Sequence, residues 1–220
     1  MAILEASDLY RFFHTRESET LALRGVSLRL DAGEMVALMG PSGSGKSTLL
    51  ACLAGLDEPD GGHVELIGER LTRLPEAERA RRRAANIGIL MQTGNLFPAL
   101  TVADNVKLPM LLACKVDLVW AELLLRGVGI ADRQGARPGQ LSGGELARAG
   151  LAVALAASPR VLLADEPTGE VDAVTEGFIL NILDEQRLAG VAVLVATHSQ
   201  ALAARADRII HLRDGRIVDV

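Results

Sequence analysis

The stretch Met35-Val36-Ala37-Leu38-Met39-Gly40-Pro41-Ser42-Gly43-Ser44-Gly45-Lys46-Ser47-Thr48 decides how the rest of the chain is read. Its first five residues form an uninterrupted apolar run, the pattern of a strand buried on both faces. Gly40 to Ser47 then matches G-x-x-x-x-G-K-[ST] in the setting that motif needs, a buried strand before it and a helix after it. Glycines let the backbone curl until successive N–H groups point at phosphate oxygens, and the positive end of the following helix adds to the attraction. Lys46 is placed to reach the β- and γ-phosphates of a nucleotide, and the Ser47 hydroxyl to ligate Mg²⁺. The whole loop, Gly40, Pro41, Ser42, Gly43, Ser44, Gly45, Lys46, Ser47 and Thr48, is therefore a candidate binding element. The alternative is a Gly/Ser-rich turn that only resembles the motif, and the strand–loop–helix setting argues against it.

Upstream of this loop, Ile3–Leu9 and Leu21–Leu30 read as short strands. Downstream, Thr48–Leu56 reads as a helix ended by Gly55, and His63–Ile67 as a strand after the Asp60-Gly61-Gly62 turn. Pro75–Arg83 is a charged helix with a solvated face, and Ile87–Met91 is again strand-like. Residues from about 94 to 158 hold Leu- and Ala-rich helical segments without a strong strand. The strand pattern returns at Val161–Ala164, Ala192–Ala196 and Ile209–Leu212, with a helix over about Ala173–Ala189 between the first two. Strands alternating with helices predict an α/β fold with a mainly parallel sheet covered on both faces.

The bulk properties narrow the function classes. The chain has 220 residues, 49% of them hydrophobic, enough for a sizeable core. A net charge of -5 provides no basic field for non-specific binding to DNA or RNA, so no nucleic-acid partner is expected. Cys52 and Cys114 show neither a disulfide framework nor zinc-ligand spacing, which fits a reducing, cytoplasmic location. The N-terminus lacks a secretory pattern, and apolar runs such as Val106–Cys114 are broken well before the roughly 18 residues a membrane span requires. If a membrane is involved, another chain is expected to cross it.

Arg160–Glu166 is an apolar strand ending in two acids. A carboxylate at the C-terminal end of a strand beside a phosphate loop can hold Mg²⁺ through water, and a second can orient the attacking water. Asp165 takes the metal role in this reading and Glu166 the general-base role. Paired acids after a strand are weak evidence alone, being as often a helix N-terminal charge. Their meaning comes from Leu141-Ser142-Gly143-Gly144-Glu145 about 20 residues earlier, Gln92 in Ile89-Leu90-Met91-Gln92, Pro167–Asp172, and Ala196-Thr197-His198.

In that order and combination these motifs resemble the ABC ATPase family, and the resemblance covers essentially the whole chain. It implies one domain over residues 1–220. Residues of about 1–92 and 159–220 would form a RecA-like phosphate-loop NTPase core with a small antiparallel β subdomain, and about 93–158 an inserted helical signature subdomain. It implies ATP and Mg²⁺ as cofactors. It also implies a head-to-tail dimer in which Ser142, Gly143 and Gly144 contact the γ-phosphate held by the Lys46 of a second copy. Gln92 would sense Mg²⁺ and the attacking water, His198 would contact the γ-phosphate, and Asp172 would communicate between the two sites. The adenine-stacking aromatic of the family falls on Phe13, with Phe12 and Tyr10 as alternatives. Within the family the chain is most similar to stand-alone cassettes of lipoprotein-releasing, macrolide-exporting and cell-division-associated systems. These pair with a transmembrane permease subunit, placing the cassette on the cytoplasmic face of the membrane. The Leu96, Phe97 and Leu100 side chains after Gln92 are placed where an apolar groove could receive a short helix of that subunit, with at least one of them expected to fill the lobe's own core instead.

Three departures from the family pattern stand out. Leu146, Ala147 and Val153 replace polar residues on the signature helix, Glu170-Val171 replaces Asn-Leu, and Ser199 replaces an Asp. Glu170 would add negative charge near the dimer interface. Two competing readings remain, a soluble ABC-type ATPase acting on DNA or ribosomes and a nucleotide-gated switch with little turnover. His14, His63 and His211 are read as surface or loop residues, and Trp120 as packing. The transported substrate is not encoded in this chain.

Overall fold

The computed structural model describes residues 2–14, 19–169 and 171–218, without the side chains of His14 and Glu19. Glu170, whose charge drew attention in the sequence, lies outside the described residues. The chain opens with two long strands, β1 (Ala2–His14) and β2 (Glu19–Asp31), where short ones were expected. They pair antiparallel with register shifts that bend the ribbon and bury Leu4, Leu9, Leu23, Val26 and Leu30 on one face. Next come β3 (Met35–Met39) and, after the phosphate loop, α1 (Lys46–Leu53). The hairpin β4 (Gly61–Leu66) and β5 (Glu69–Arg70) completes a four-stranded antiparallel sheet of order β2-β1-β4-β5.

Helix α2 (Glu76–Asn86) leads into β6 (Ile87–Leu90). It has no buried residue, yet its face is not simply solvated. Arg79 is bound by Glu58 and Glu76, Arg82 by Glu69 and Glu78, and Arg83 by Glu76. Acids from the loop before β4, from β5 and from the same helix thus offset three of its arginines. Between β6 and β7 (Val161–Asp165) lie only helices among the regular elements: α3 (Val102–Leu112), α4 (Leu118–Gly127), two short 3₁₀ turns and α5 (Gly143–Leu155). Then follow α6 (Ala173–Leu188), β8 (Ala192–Ala196), the short α7 (Gln200–Ala203), β9 (Arg208–Arg213) and β10 (Arg216–Val218).

The second sheet has the order β10-β9-β3-β8-β7-β6, parallel throughout except for β10. Both of its faces are buried, and the alternation of the pleat divides them between two cores. Met35, Ala37, Leu162, Ala164, Val193 and Val195 face the core shared with α3–α6. Val36, Leu38, Val161, Leu163, Leu194 and Ala196 face the core shared with α1 and the antiparallel sheet. An apolar residue is therefore needed at every position of these strands, which explains their unbroken hydrophobic runs.

The reading of the histidines needs correction. His63 and His211 sit within β4 and β9, half-buried, and are not loop residues. Leu96 is only 8% exposed and packs in the helical core with Val102 and Val106, whereas Phe97 is 61% exposed. The buried Asn105 causes this division. It accepts the Phe97 N–H at 2.7 Å and donates to the Phe97 and Thr101 carbonyls, fixing a turn that sends adjacent side chains in opposite directions. Trp120 packs against the helical core and donates its Nε1–H to the Ala156 carbonyl at 3.2 Å.

Candidate functional site

A cleft of about 910 Å³ opens at the C-terminal ends of the parallel strands, where ligands bind in open α/β sheets. The strand order explains its composition. Adjacent strands β3, β8, β7 and β6 end in the phosphate loop, Thr197-His198, Asp165-Glu166 and Met91-Gln92, so segments far apart in sequence emerge side by side. Of the candidate residues, Phe13, Gly40, Pro41, Ser42, Gly43, Gly45, Lys46, Ser47, Thr48, Gln92, Asp165, Glu166 and His198 all line the cleft.

The loop itself leaves no room for side chains at two glycines. A Cβ on Gly40 would lie 2.1 Å from the Leu212 carbonyl oxygen, and one on Gly45, at φ 104°, would lie 2.5 Å from that of Ala22. Lys46 donates from Nζ to the Gly40 and Pro41 carbonyls at 2.8 and 3.2 Å, so its ammonium is held over the loop. Ser44 does not line the cleft. It is buried, and its N–H donates to the Pro41 carbonyl to close the loop's turn.

Asp165 ends β7 nearly buried, and it lines a small neighbouring hollow together with Ser47. A hydroxyl and one carboxylate are a sparse set of hard oxygen ligands, suited to Mg²⁺ that keeps waters and phosphate oxygens in its shell. Among the described residues no group of three or more His, Cys, Asp or Glu is gathered as a metal cage. Glu166 adopts φ 48°, the left-handed region, and its backbone N–H donates to the Ala196 carbonyl at 2.8 Å. Its Oε2 lies 2.9 Å from His198 Nδ1 and accepts the His198 backbone N–H at 3.3 Å. A carboxylate on a sparsely populated backbone geometry, clasped from β8, is fixed in position beside the phosphate loop.

Of Tyr10, Phe12 and Phe13, only Phe13 lines the cleft. The Arg11 guanidinium lies 4.8 Å over its ring and is itself gripped by both Asp57 oxygens at 2.8 Å and by Asp60. Tyr10 packs instead against Gly25 and Gly61. Burial pushes the Cys52 thiol on α1 up to about 12, which leaves it inert.

Ser142, Gly143, Gly144 and Asp172 are not brought to this cleft. Ser142 caps α5 in a reciprocal box: its Oγ accepts the Glu145 N–H at 3.3 Å, and Glu145 accepts the Ser142 N–H at 2.7 Å. The Ser142 N–H is therefore spent, leaving its hydroxyl and the N–H groups of Gly143 and Gly144 at the helix end. Asp172 caps α6 by accepting from Val174 and Thr175, and the Thr175 N–H holds its carboxyl below the usual range. A Cβ on Gly144 would lie 2.8 Å from Thr175 Oγ1, and Arg148 lies over the Phe178 ring, so the signature helix is packed onto the start of α6.

Sequence reasoning missed Thr20, Leu21, Ala22, Arg24, Asp214 and Gly215, which also line the cleft. For the last two a signal existed. Asp214 and Gly215 both have positive φ and join β9 to β10, and Asp-Gly between alternating hydrophobic residues is the signature of such a hairpin turn. The residues of β2 carried none, since they reach the cleft only because β2 runs beside the loop.

A phosphate loop at the end of a parallel sheet, with two acids and a histidine facing it, defines a nucleotide-binding protein of the P-loop NTPase type. Residues 23–169 match the ABC transporter family. The chain is 43% identical over 222 residues to the lipoprotein-releasing system ATP-binding protein LolD of Acinetobacter baylyi, covering 99% of this chain and 97% of that one. It is 38% identical to the macrolide export ATP-binding/permease protein MacB of Hyphomonas neptunium, covering 98% of this chain but 34% of that longer one. Among solved structures, the dimeric post-hydrolysis state of the ATP-binding cassette MJ0796, bound to ADP and Pi, superposes with a TM-score of 0.93 at 33% identity. That match covers 98% of this chain and 97% of the other. The chain belongs to the ABC transporter family, as an ATP-binding subunit and ATPase.

Proposed function

We propose that the chain hydrolyses ATP at an interface between two copies of itself and so drives a separate transmembrane protein from the cytoplasmic face of the membrane. One observation carries the reading: Lys46, Ser47, Gln92, Asp165, Glu166 and His198 line one cleft, while Ser142, Gly143 and Gly144 lie outside it at an exposed helix N-terminus. A signature that cannot serve its own cleft can serve a partner's, and two copies related by a twofold axis complete two sites at once. The MJ0796 cassette is a dimer, which supports the same arrangement here.

In this mechanism the phosphate-loop N–H groups and Lys46 bind the β- and γ-phosphates, and the signature of the second copy closes over the γ-phosphate. Phe13, backed by Arg11, stacks on the adenine. Ser47, Asp165 and Gln92 would hold Mg²⁺, which when bound would supply positive charge against that developing on the phosphates. Glu166 accepts the proton of the attacking water, and the His198–Glu166 contact keeps the carboxylate aimed. Asp172, as the cap of α6 next to the signature helix, relates one site to the other. No described helix is long and apolar enough to cross a membrane, and the hollow beneath Phe97, between α2, α3 and α5, is the surface assigned to the membrane subunit. Leu96 is excluded from that surface by its burial.

The test is Glu166→Gln. It is expected to bind ATP, to form a dimer that persists in gel filtration with ATP, and to lose on the order of 10²- to 10⁴-fold in turnover. Turnover at the parent rate would remove Glu166 from the mechanism. A variant that binds ATP but stays monomeric would remove the shared site.

A further inference from the structure

Ser199, one of the three departures from the family pattern, directly follows His198 and carries no charge of its own. A carboxylate reaches it from elsewhere. Ser199 Oγ donates to Glu176 Oε1 at 3.0 Å, which ties the loop after β8 to the first turn of α6 across 23 residues of sequence. The same oxygen accepts the Leu202 N–H at 3.3 Å and so caps α7, while the Ser199 N–H donates to Thr197 Oγ1 at 3.0 Å. A serine hydroxyl has one proton to give, and Glu176 takes it.

The Glu176 carboxylate is half-buried and makes no ion pair among the described residues. The dipole of α6 favours an acid in its first turn, but it does not require that acid to hold a neighbouring loop. The loop it holds is the one that carries His198. That side chain is 75% exposed, so packing does not fix the ring, and the backbone around it decides where Nδ1 points. Before His198 the loop is anchored to the sheet, because the buried Thr197 donates its N–H to the Leu38 carbonyl of β3 at 3.1 Å. After His198 the side-chain anchor that comes from another element is Glu176. The turn that supplies it is itself well fixed. Thr175 Oγ1 donates to the Asp172 cap at 2.9 Å and packs against Gly144 of the signature helix.

We propose that Glu176 is a positioning residue for ATP hydrolysis: through Ser199 it holds the histidine loop in register with α6, and with it the contact between His198 and Glu166. This rests on the mechanism proposed above and adds a residue to it that touches neither phosphate nor attacking water. A general base acts only where its oxygen meets the proton it removes, so loosening the loop that aims it slows the chemical step and leaves binding alone.

The experiment uses the full chain with ATP and Mg²⁺, and takes the Glu166→Gln rate as the floor. Glu176→Ala leaves the Ser199 hydroxyl without its acceptor. It should lower kcat at least about fivefold while ATP affinity, read by competition binding, stays within about twofold. Ser199→Asp sets two carboxylates face to face and should lower kcat as well. Adding Glu176→Gln to Ser199→Asp places an amide donor opposite the new carboxylate and should restore most of the turnover, which loss of a merely structural side chain would not allow. If the parent does not exceed the floor, the proposed mechanism fails. If it does, and Glu176→Ala or Ser199→Asp turns over at the parent rate, the inference alone falls. Equal losses of kcat and ATP affinity in Glu176→Ala, or no recovery in the double variant, overturn it too.

Discussion

Two concave surfaces of the chain are built on opposite principles. The nucleotide cleft is made of loops at the ends of buried parallel strands, and its lining is largely backbone, small residues and charged tips. The hollow between α2, α3 and α5 is made of side chains from helix flanks and from β6, and its lining is mostly apolar, with two asparagines and two arginines. A cleft that binds phosphates needs particular atoms at fixed distances, so each contributing loop carries a short, rigid sequence pattern. A groove that binds another protein needs only shape and a few anchors, and many sequences supply those. The two also differ in charge logic, with acids facing the phosphate loop and two arginines lining the hollow.

The comparison breaks most sharply in a double dissociation. Glu166→Gln should cost on the order of 10²- to 10⁴-fold in ATP turnover while association with the membrane subunit is kept. Phe97→Asp should abolish that association and leave ATP binding by the isolated chain unchanged. Steady-state phosphate release and detergent co-purification, measured on both variants, decide the matter. Loss of ATP binding in Phe97→Asp would mean that the two surfaces are not separable.

A second test concerns which side chain after Gln92 belongs to the groove. Leu96→Ala, in the helical core, should lower unfolding free energy by about 2–5 kcal/mol, whereas Phe97→Ala should change it by no more than about 0.5 kcal/mol. Urea melts of the two variants read this directly. Similar losses at both positions would put Phe97 in the core as well.

Within the cleft, the rim is expected to matter less than the centre. Phe13→Ala should weaken ATP and GTP together by up to about tenfold, because a ring stacks on any purine without reading its edge. Arg11→Ala, which removes the cation behind the ring, should give a smaller shift in the same direction. Competition binding with both nucleotides checks this, and a change confined to ATP would point to an edge contact instead.

The difference between the surfaces also explains what could be read in advance. The strands β3 and β8 are recognisable residue for residue because both of their faces are buried, so the apolar run ends where the sheet ends. Gln92, Asp165, Glu166 and His198 are legible because a loop next to phosphates tolerates few residue types. Arg24 and Ala22 were not, since they line the cleft through the neighbourhood of β2 and through no pattern of their own. At least one apolar residue after Gln92 was expected in the core, but which one was not legible, because the adjacent Leu96 and Phe97 look alike until Asn105 is known to fix the turn between them. The burial of Ser44 was hidden for a similar reason, as the motif specifies the loop's curl without saying which residue closes it.

Helix α5 connects the two themes, with the signature glycines proposed to close a second copy's cleft at its N-terminus and Val153 and Ala154 near its C-terminal end lining the hollow beside α2 and α3. Its cap therefore offers the smallest effect that still bears on the comparison. The Ser142 N–H, and after it Arg133 at 2.9 Å, hold the Glu145 carboxyl down to about 2, from an ordinary value of 4.5. A carboxyl whose folded value is depressed stabilises the fold fully above its unfolded value, and that contribution is lost as pH falls from about 4.5 through about 2. Glu145→Gln can still accept the Ser142 N–H but cannot carry the charge that answers Arg133. The variant should therefore melt slightly below the parent at pH 7, and the gap should narrow as the parent is brought to pH 3. Thermal melts of both proteins at the two pH values measure it. A gap that stays constant would mean that the capping geometry alone, without the charge, holds the start of the signature helix.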